Sequence, residues 1–89
     1  MLSITDILDF IDLDRETVQV VRDATRLPED QATSLAEDLL KSQRGIYSIH
    51  QMFRDEISKA AESFQLAREQ RLRKAYTYFA RKYPVPRMF

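Results

Sequence analysis

The chain predicts a small all-α bundle of four to five helices, and three features of the sequence point there. Its 89 residues include one glycine and three prolines, too few turn formers for a hairpin-rich sheet. No stretch keeps the alternation of a strand, and apolar positions recur instead at spacings of three and four. A hydrophobic fraction of 44% beside 31% charged residues is ordinary for a globular protein and too apolar for disorder. Such a length makes one domain, 1–89. It leaves enough surface in water that a partner or a second copy would add stability.

The elements are expected in this order. "SITDILDF" forms a short first helix with Ser3 as N-cap and Asp6 three residues on. "DLDRETVQVVRDA" forms a second, capped by Asp14, with Val18, Val21 and Ala24 as its inward stripe. Pro28 opens the third in its first turn, where a missing N–H costs nothing. Glu29 and Asp30 lie at that helix's positive end, Lys41 and Arg44 at its negative end. Between them Ala32, Leu35, Ala36, Leu39 and Leu40 form the cleanest core stripe, and Gly45 stands where a C′ residue with positive φ would end the helix.

Residues 46–83 contain neither Gly nor Pro. Ile46, Ile49, Phe53, Ile57, Ala60, Phe64 and Ala67 step by three and four. After a phase shift across "QLAREQR", Leu72, Tyr76, Phe79 and Tyr83 do the same. The region 45–83 therefore reads as one long helix or as two that bend near 65–70. Pro84 and Pro86 stop it, leaving 84–89 as an extended tail in which Met88 and Phe89 either dock onto a partner or fold back on the bundle.

The zero net charge conceals a strong separation. Residues 1–40 hold ten acids against three bases, and the remainder eleven bases against four acids. Asymmetry of this kind marks an interaction surface, or else the basic end lies against the acidic helices and part of its charge is neutralised internally. Cysteine is absent, so there is neither a disulfide framework nor a thiolate site, which fits a reducing cytoplasm. The opening residues lack the basic start and continuous apolar core of a secretory signal, and every apolar run is too short to span a membrane.

The candidate functional residues fall in the last helical stretch. At 100° per residue, Leu72, Ala75, Tyr76, Phe79 and Tyr83 share a core-facing arc, and Arg71, Arg73, Lys74, Arg81 and Lys82 take the opposite side. Tyr78 lies among those cations. A phenol ringed by bases can anchor a protein interface, stack a nucleobase while the bases hold phosphates, or rest on the aliphatic stems of its lysine neighbours. The expected interaction face is thus Arg71, Lys74, Tyr78, Arg81 and Lys82. The expected function is a non-enzymatic protein-interaction module, with self-association along this helix, and nucleic-acid binding through the same residues is the alternative. Internal neutralisation of the cations, and repulsion from the acidic half, weigh against the polyanion.

Other chemistry finds little support. A helix-turn-helix over "VVRDATRLPEDQATSLAEDLL" would offer DNA an acidic reading helix. His50, the sole histidine, is expected at the edge of the apolar stripe, without the companions a metal needs beyond carboxylates such as Asp55 or Glu56. Nucleophile elbows, phosphate loops and zinc-protease motifs are all missing, so no enzyme, cofactor, metal or small-molecule substrate is expected.

The chain resembles a family of small, uncharacterised bacterial proteins of similar length. The resemblance rests on "DILDFIDLD" at 6–14, the proline that opens the third helix, "GIYSIHQMFRDEI" at 45–57 and "LRKAYTYFARKYP" at 72–84. It implies a helical fold and brings no activity or site residues. Such relatives carry a Gly-containing turn in the late helical region, where this sequence has "AESFQLAREQ".

Overall fold

A computed structural model of the chain describes residues 15–86, so the expected first helix, the Asp14 cap and the tip Met88–Phe89 lie outside the described residues. Four helices and no strand are found among the residues described: α1 (Arg15–Thr25), α2 (Glu29–Leu39), α3 (Gln43–Glu62) and α4 (Leu66–Lys82). The all-α expectation holds. None of these helices is long and apolar enough to cross a membrane.

α1 buries Thr17, Val20 and Val21, with Val18 at the edge of the core and Ala24 exposed. The expected Val18–Val21–Ala24 stripe is therefore rotated, because the adjacent pair Val20–Val21 puts its larger apolar area at the centre of the contact. The helix stops where Arg26 turns to φ 61 and its N–H reaches the Arg22 carbonyl at 2.7 Å, a single left-handed residue closing the last turn.

Pro28 is the N-cap of α2, with its carbonyl accepting from the Ala32 N–H at 2.8 Å. Ala32 and Ala36 are fully buried, and Leu35, Leu39 and Leu40 pack around them as expected. The C-terminus differs from expectation: α2 ends at Leu39, so Lys41 and Arg44 lie beyond it, and Gly45 is no C′ residue. No described glycine has positive φ. Gly45 belongs to the first turn of α3, where its N–H donates to the Oγ of the N-cap Ser42 at 3.0 Å. Only glycine fits there, because a Cβ would collide with the Leu39 carbonyl of the preceding helix.

α3 is the central strut and packs against the other three helices. Ile49, Phe53, Ile57 and Ala60 are buried along one side, and Ile49 and Phe53 are wholly inaccessible. Each of those two large side chains contributes about 1.5–3 kcal/mol by leaving water. The expected stripe fails after Ala60. Phe64 is 92% exposed and Ala67 is exposed, because the region 45–83 is two helices separated at Ser63–Gln65. The Gln65 N–H returns to Ala60 O (2.9 Å) and the Phe64 N–H to Ala61 O (3.2 Å). Phe64 sits at φ 57 between them, which makes a Schellman closure with phenylalanine in the position that favours glycine. α4 then folds back along α3 and ends at Lys82, with Tyr83 as its C-cap before Pro84.

Candidate interaction face on the C-terminal helix

The sequence of α4 fixes which side looks outward. Leu72 and Phe79 are buried, and Ala75, Tyr76 and Tyr83 pack against the core. The opposite side therefore carries Arg71, Lys74, Tyr78, Arg81 and Lys82, all exposed. Tyr78 keeps 49% of its surface in solvent, and the Lys82 ammonium stands 4.3 Å from its ring centroid. That cation–π contact is worth about 0.5–1 kcal/mol at an exposed site and holds the ring against the helix. Arg71, Lys74 and Arg81 make no ion pair among the described residues.

These side chains border a cleft of about 610 Å³. Among the described residues its lining is Arg71, Lys74, Ala75, Thr77, Tyr78 and Arg81 of α4 and Glu16 in the first turn of α1. Apolar surface at Ala75 and the Tyr78 ring, with guanidinium and ammonium groups around it, suits a ligand that is apolar at its centre and acidic at its edges. The structure brings together four of the five expected face residues in this cleft, and Lys82 joins them through Tyr78.

Two further clusters were not expected. Arg68, in the first turn of α4, reaches Asp23 of α1 and Glu56 of α3, each at 3.1 Å, and Lys59 adds a second cation on Glu56 at 3.1 Å. The Glu56 side chain is only 5% exposed, so the guanidinium satisfies a carboxylate that burial would otherwise penalise. At the other end of α4, His50 is fully buried rather than at the edge of the stripe. Its Nδ1 lies 2.9 Å from the Tyr76 hydroxyl and its Nε2 lies 2.6 Å from the Tyr83 carbonyl. Since a carbonyl only accepts, Nε2 carries the proton, and in the neutral ring the Tyr76 hydroxyl donates to Nδ1. Burial lowers the His50 pKa below its ordinary value. The carbonyl of Tyr83 opposes that shift, and the charge of Arg54 adds to it.

Both ring nitrogens of His50 are engaged by Tyr76 and Tyr83, and Glu56 is paired to Arg68 and Lys59. No cluster of three or more His, Cys, Asp or Glu that could hold a metal is found among the described residues. No protein-family model, curated protein or solved structure matches this chain.

Proposed function

We propose that this chain is a non-enzymatic protein-interaction module, working in the cytoplasm and binding through the outer face of α4. The reading rests above all on Tyr78, a half-exposed aromatic held in place by Lys82 and surrounded by Arg71, Lys74 and Arg81 beside a cleft. Tyrosine and arginine anchor interfaces because each offers large contact area together with hydrogen bonding. The complementary partner presents carboxylates around an apolar anchor. A second copy meets that requirement head to tail, with acidic surface from one chain against α4 of the other. A face-to-face pair would oppose cation to cation.

Sedimentation velocity over a range of concentrations tests this. Association should grow with concentration, weaken with salt, and be lost in Tyr78→Ala, a change that touches no core residue. Titration with a single-stranded oligonucleotide tests the alternative. A chain that stays monomeric throughout, yet binds the oligonucleotide with a steep salt dependence that Lys74→Ala reduces by about one unit of slope, would move the assignment to nucleic acid. Neither association nor oligonucleotide binding would remove both readings.

A further inference from the structure

We infer that the end of the bundle where α1 gives way to α2 holds a second site, which binds a phosphate monoester between Arg22, Arg26 and Arg68. It shares no lining residue with the cleft beside α4, so the two are tested independently.

The chain first brings three guanidinium groups to one place. Arg22 lies in the last turn of α1, and Arg26 closes that turn with its N–H on the Arg22 carbonyl. Arg68 arrives from α4 after the chain reverses at Ser63–Gln65. The three border a recess of about 550 Å³, and Asp23, Leu27 and Pro28 complete its lining among the described residues.

The charge of this recess is not balanced from within. Asp23 is the one carboxylate of that lining, and Glu29 and Asp30 beyond Pro28 are not part of it. Both oxygens of Asp23 are already engaged, Oδ1 by Gln19 at 3.0 Å and Oδ2 by Arg68 at 3.1 Å. Glu56, the other partner of Arg68, is shared with Lys59. Arg22 and Arg26 are exposed and make no ion pair among the described residues. Three arginines against one aspartate leave two positive charges in excess. A phosphate monoester carries about −1.5 to −2 at neutral pH, and its oxygens accept paired N–H donors from guanidinium forks. Leu27 and Pro28 offer its organic group an apolar wall.

The fold alone does not account for Arg26. The α1 dipole favours a cation in its last turn, which explains Arg22. A second arginine one turn on is repelled by the first. Its backbone also sits at φ 61, a left-handed conformation that glycine adopts without strain. Strained residues of this kind cluster at ligand sites.

The full chain is titrated with phenyl phosphate at constant ionic strength and a pH above about 7, where the monoester is mostly dianionic. Saturable shifts are expected in the amide signals of Arg22, Arg26 and Leu27 and in the Arg68 guanidinium, with Arg81 unmoved. Dimethyl phosphate, a monoanionic diester, should bind about tenfold more weakly or worse. Arg26→Gly keeps the left-handed turn and removes the guanidinium. It should weaken binding about tenfold or more, while the melting temperature without ester holds or rises. Arg22→Gln should weaken binding to a similar extent. Arg68 is left in place, because its loss would also strand Glu56. A second arm identifies the source of the ester with vesicles of phosphatidic acid, whose headgroup is the same monoester. Co-sedimentation that phenyl phosphate competes away would assign a lipid surface, met by the exposed Phe64 and Leu66 at this end of the bundle. Phenyl phosphate binding without co-sedimentation would assign a soluble ester. Shifts that do not saturate, that are equal for the diester, or that centre on Arg71, Lys74 and Arg81 would overturn the inference. So would binding that survives both substitutions.

Discussion

At its first turn α4 is fastened by charge, and at its last turns by a neutral aromatic cluster. Arg68 ties the start of the helix to Asp23 and to the buried Glu56. The far end is held by Phe79 against Phe53 and His50, with ring centroids 5.3 and 5.1 Å apart, and by the two hydrogen bonds of His50. The two ends therefore answer to different variables, the one to ion-pair integrity and the other to the protonation of a single ring. Neither fastening uses Arg71, Lys74 or Arg81 on the outer side of the helix.

Breaking the charged end should have the largest effect. Arg68→Ala leaves Glu56 buried beside only the exposed Lys59, and an ionised group deprived of its main partner in that setting costs about 1–3 kcal/mol. Urea unfolding with an unchanged m value measures it. Adding Glu56→Gln to Arg68→Ala should recover part of the loss, because the stranded charge is gone. A loss no greater than the roughly 0.5 kcal/mol of a surface pair would mean that the charged end is not a fastening at all.

Acid should loosen the aromatic end next. The folded state lowers the pKa of His50, mainly through burial, while the unfolded chain protonates near the ordinary value of 6.5. The stabilising contribution is thus complete above about pH 6.5 and is lost as pH falls from there toward the lowered folded value, with a slope of at most about 1.4 kcal/mol per pH unit for one proton. The protein has one histidine, so the part of a slope beginning near pH 6.5 that disappears in His50→Gln reports His50. His50→Gln should be less stable at neutral pH and lose that slope. A slope that persists in the variant would show that the neutral ring is not what pins α4.

The contrast also explains what sequence reasoning could reach. The inward face of α4, with Leu72, Tyr76 and Phe79, and the outward position of Tyr78 were legible because a 100° period decides them before any partner is known. Glu56 was considered only as a carboxylate a metal might borrow, although it shares the buried arc of Phe53, Ile57 and Ala60, where a carboxylate requires a cation. Which cation could not be read, because Arg68 reaches it only once the chain has reversed at Ser63–Gln65. His50 was misplaced to the rim for the same reason, its partners Tyr76 and Tyr83 lying 26 and 33 residues away. Gly45 was assigned a turn it does not make because a glycine required by close approach to Leu39 looks the same in sequence as one required by positive φ.

The reversal itself supplies the smallest and most discriminating test. Periodicity made Phe64 a core residue, yet it is the most exposed large hydrophobic in the described structure, at φ 57 between the two hydrogen bonds that close α3. A residue with a Cβ pays about 1–2 kcal/mol for that conformation, and Phe64 recovers little of it by burial. Glycine removes the strain but adds about 0.5–1 kcal/mol of backbone entropy to the unfolded chain. Phe64→Gly should therefore stabilise the protein, by a few tenths of a kcal/mol up to about 1, in the same urea experiment. Truncating a phenylalanine that belonged to the core would instead cost about 3–5 kcal/mol. The two outcomes differ in sign. Destabilisation on that larger scale would mean that α3 continues through Phe64 as a single long helix, and with the reversal gone, Arg68 could no longer reach Glu56 and Asp23 as it does here.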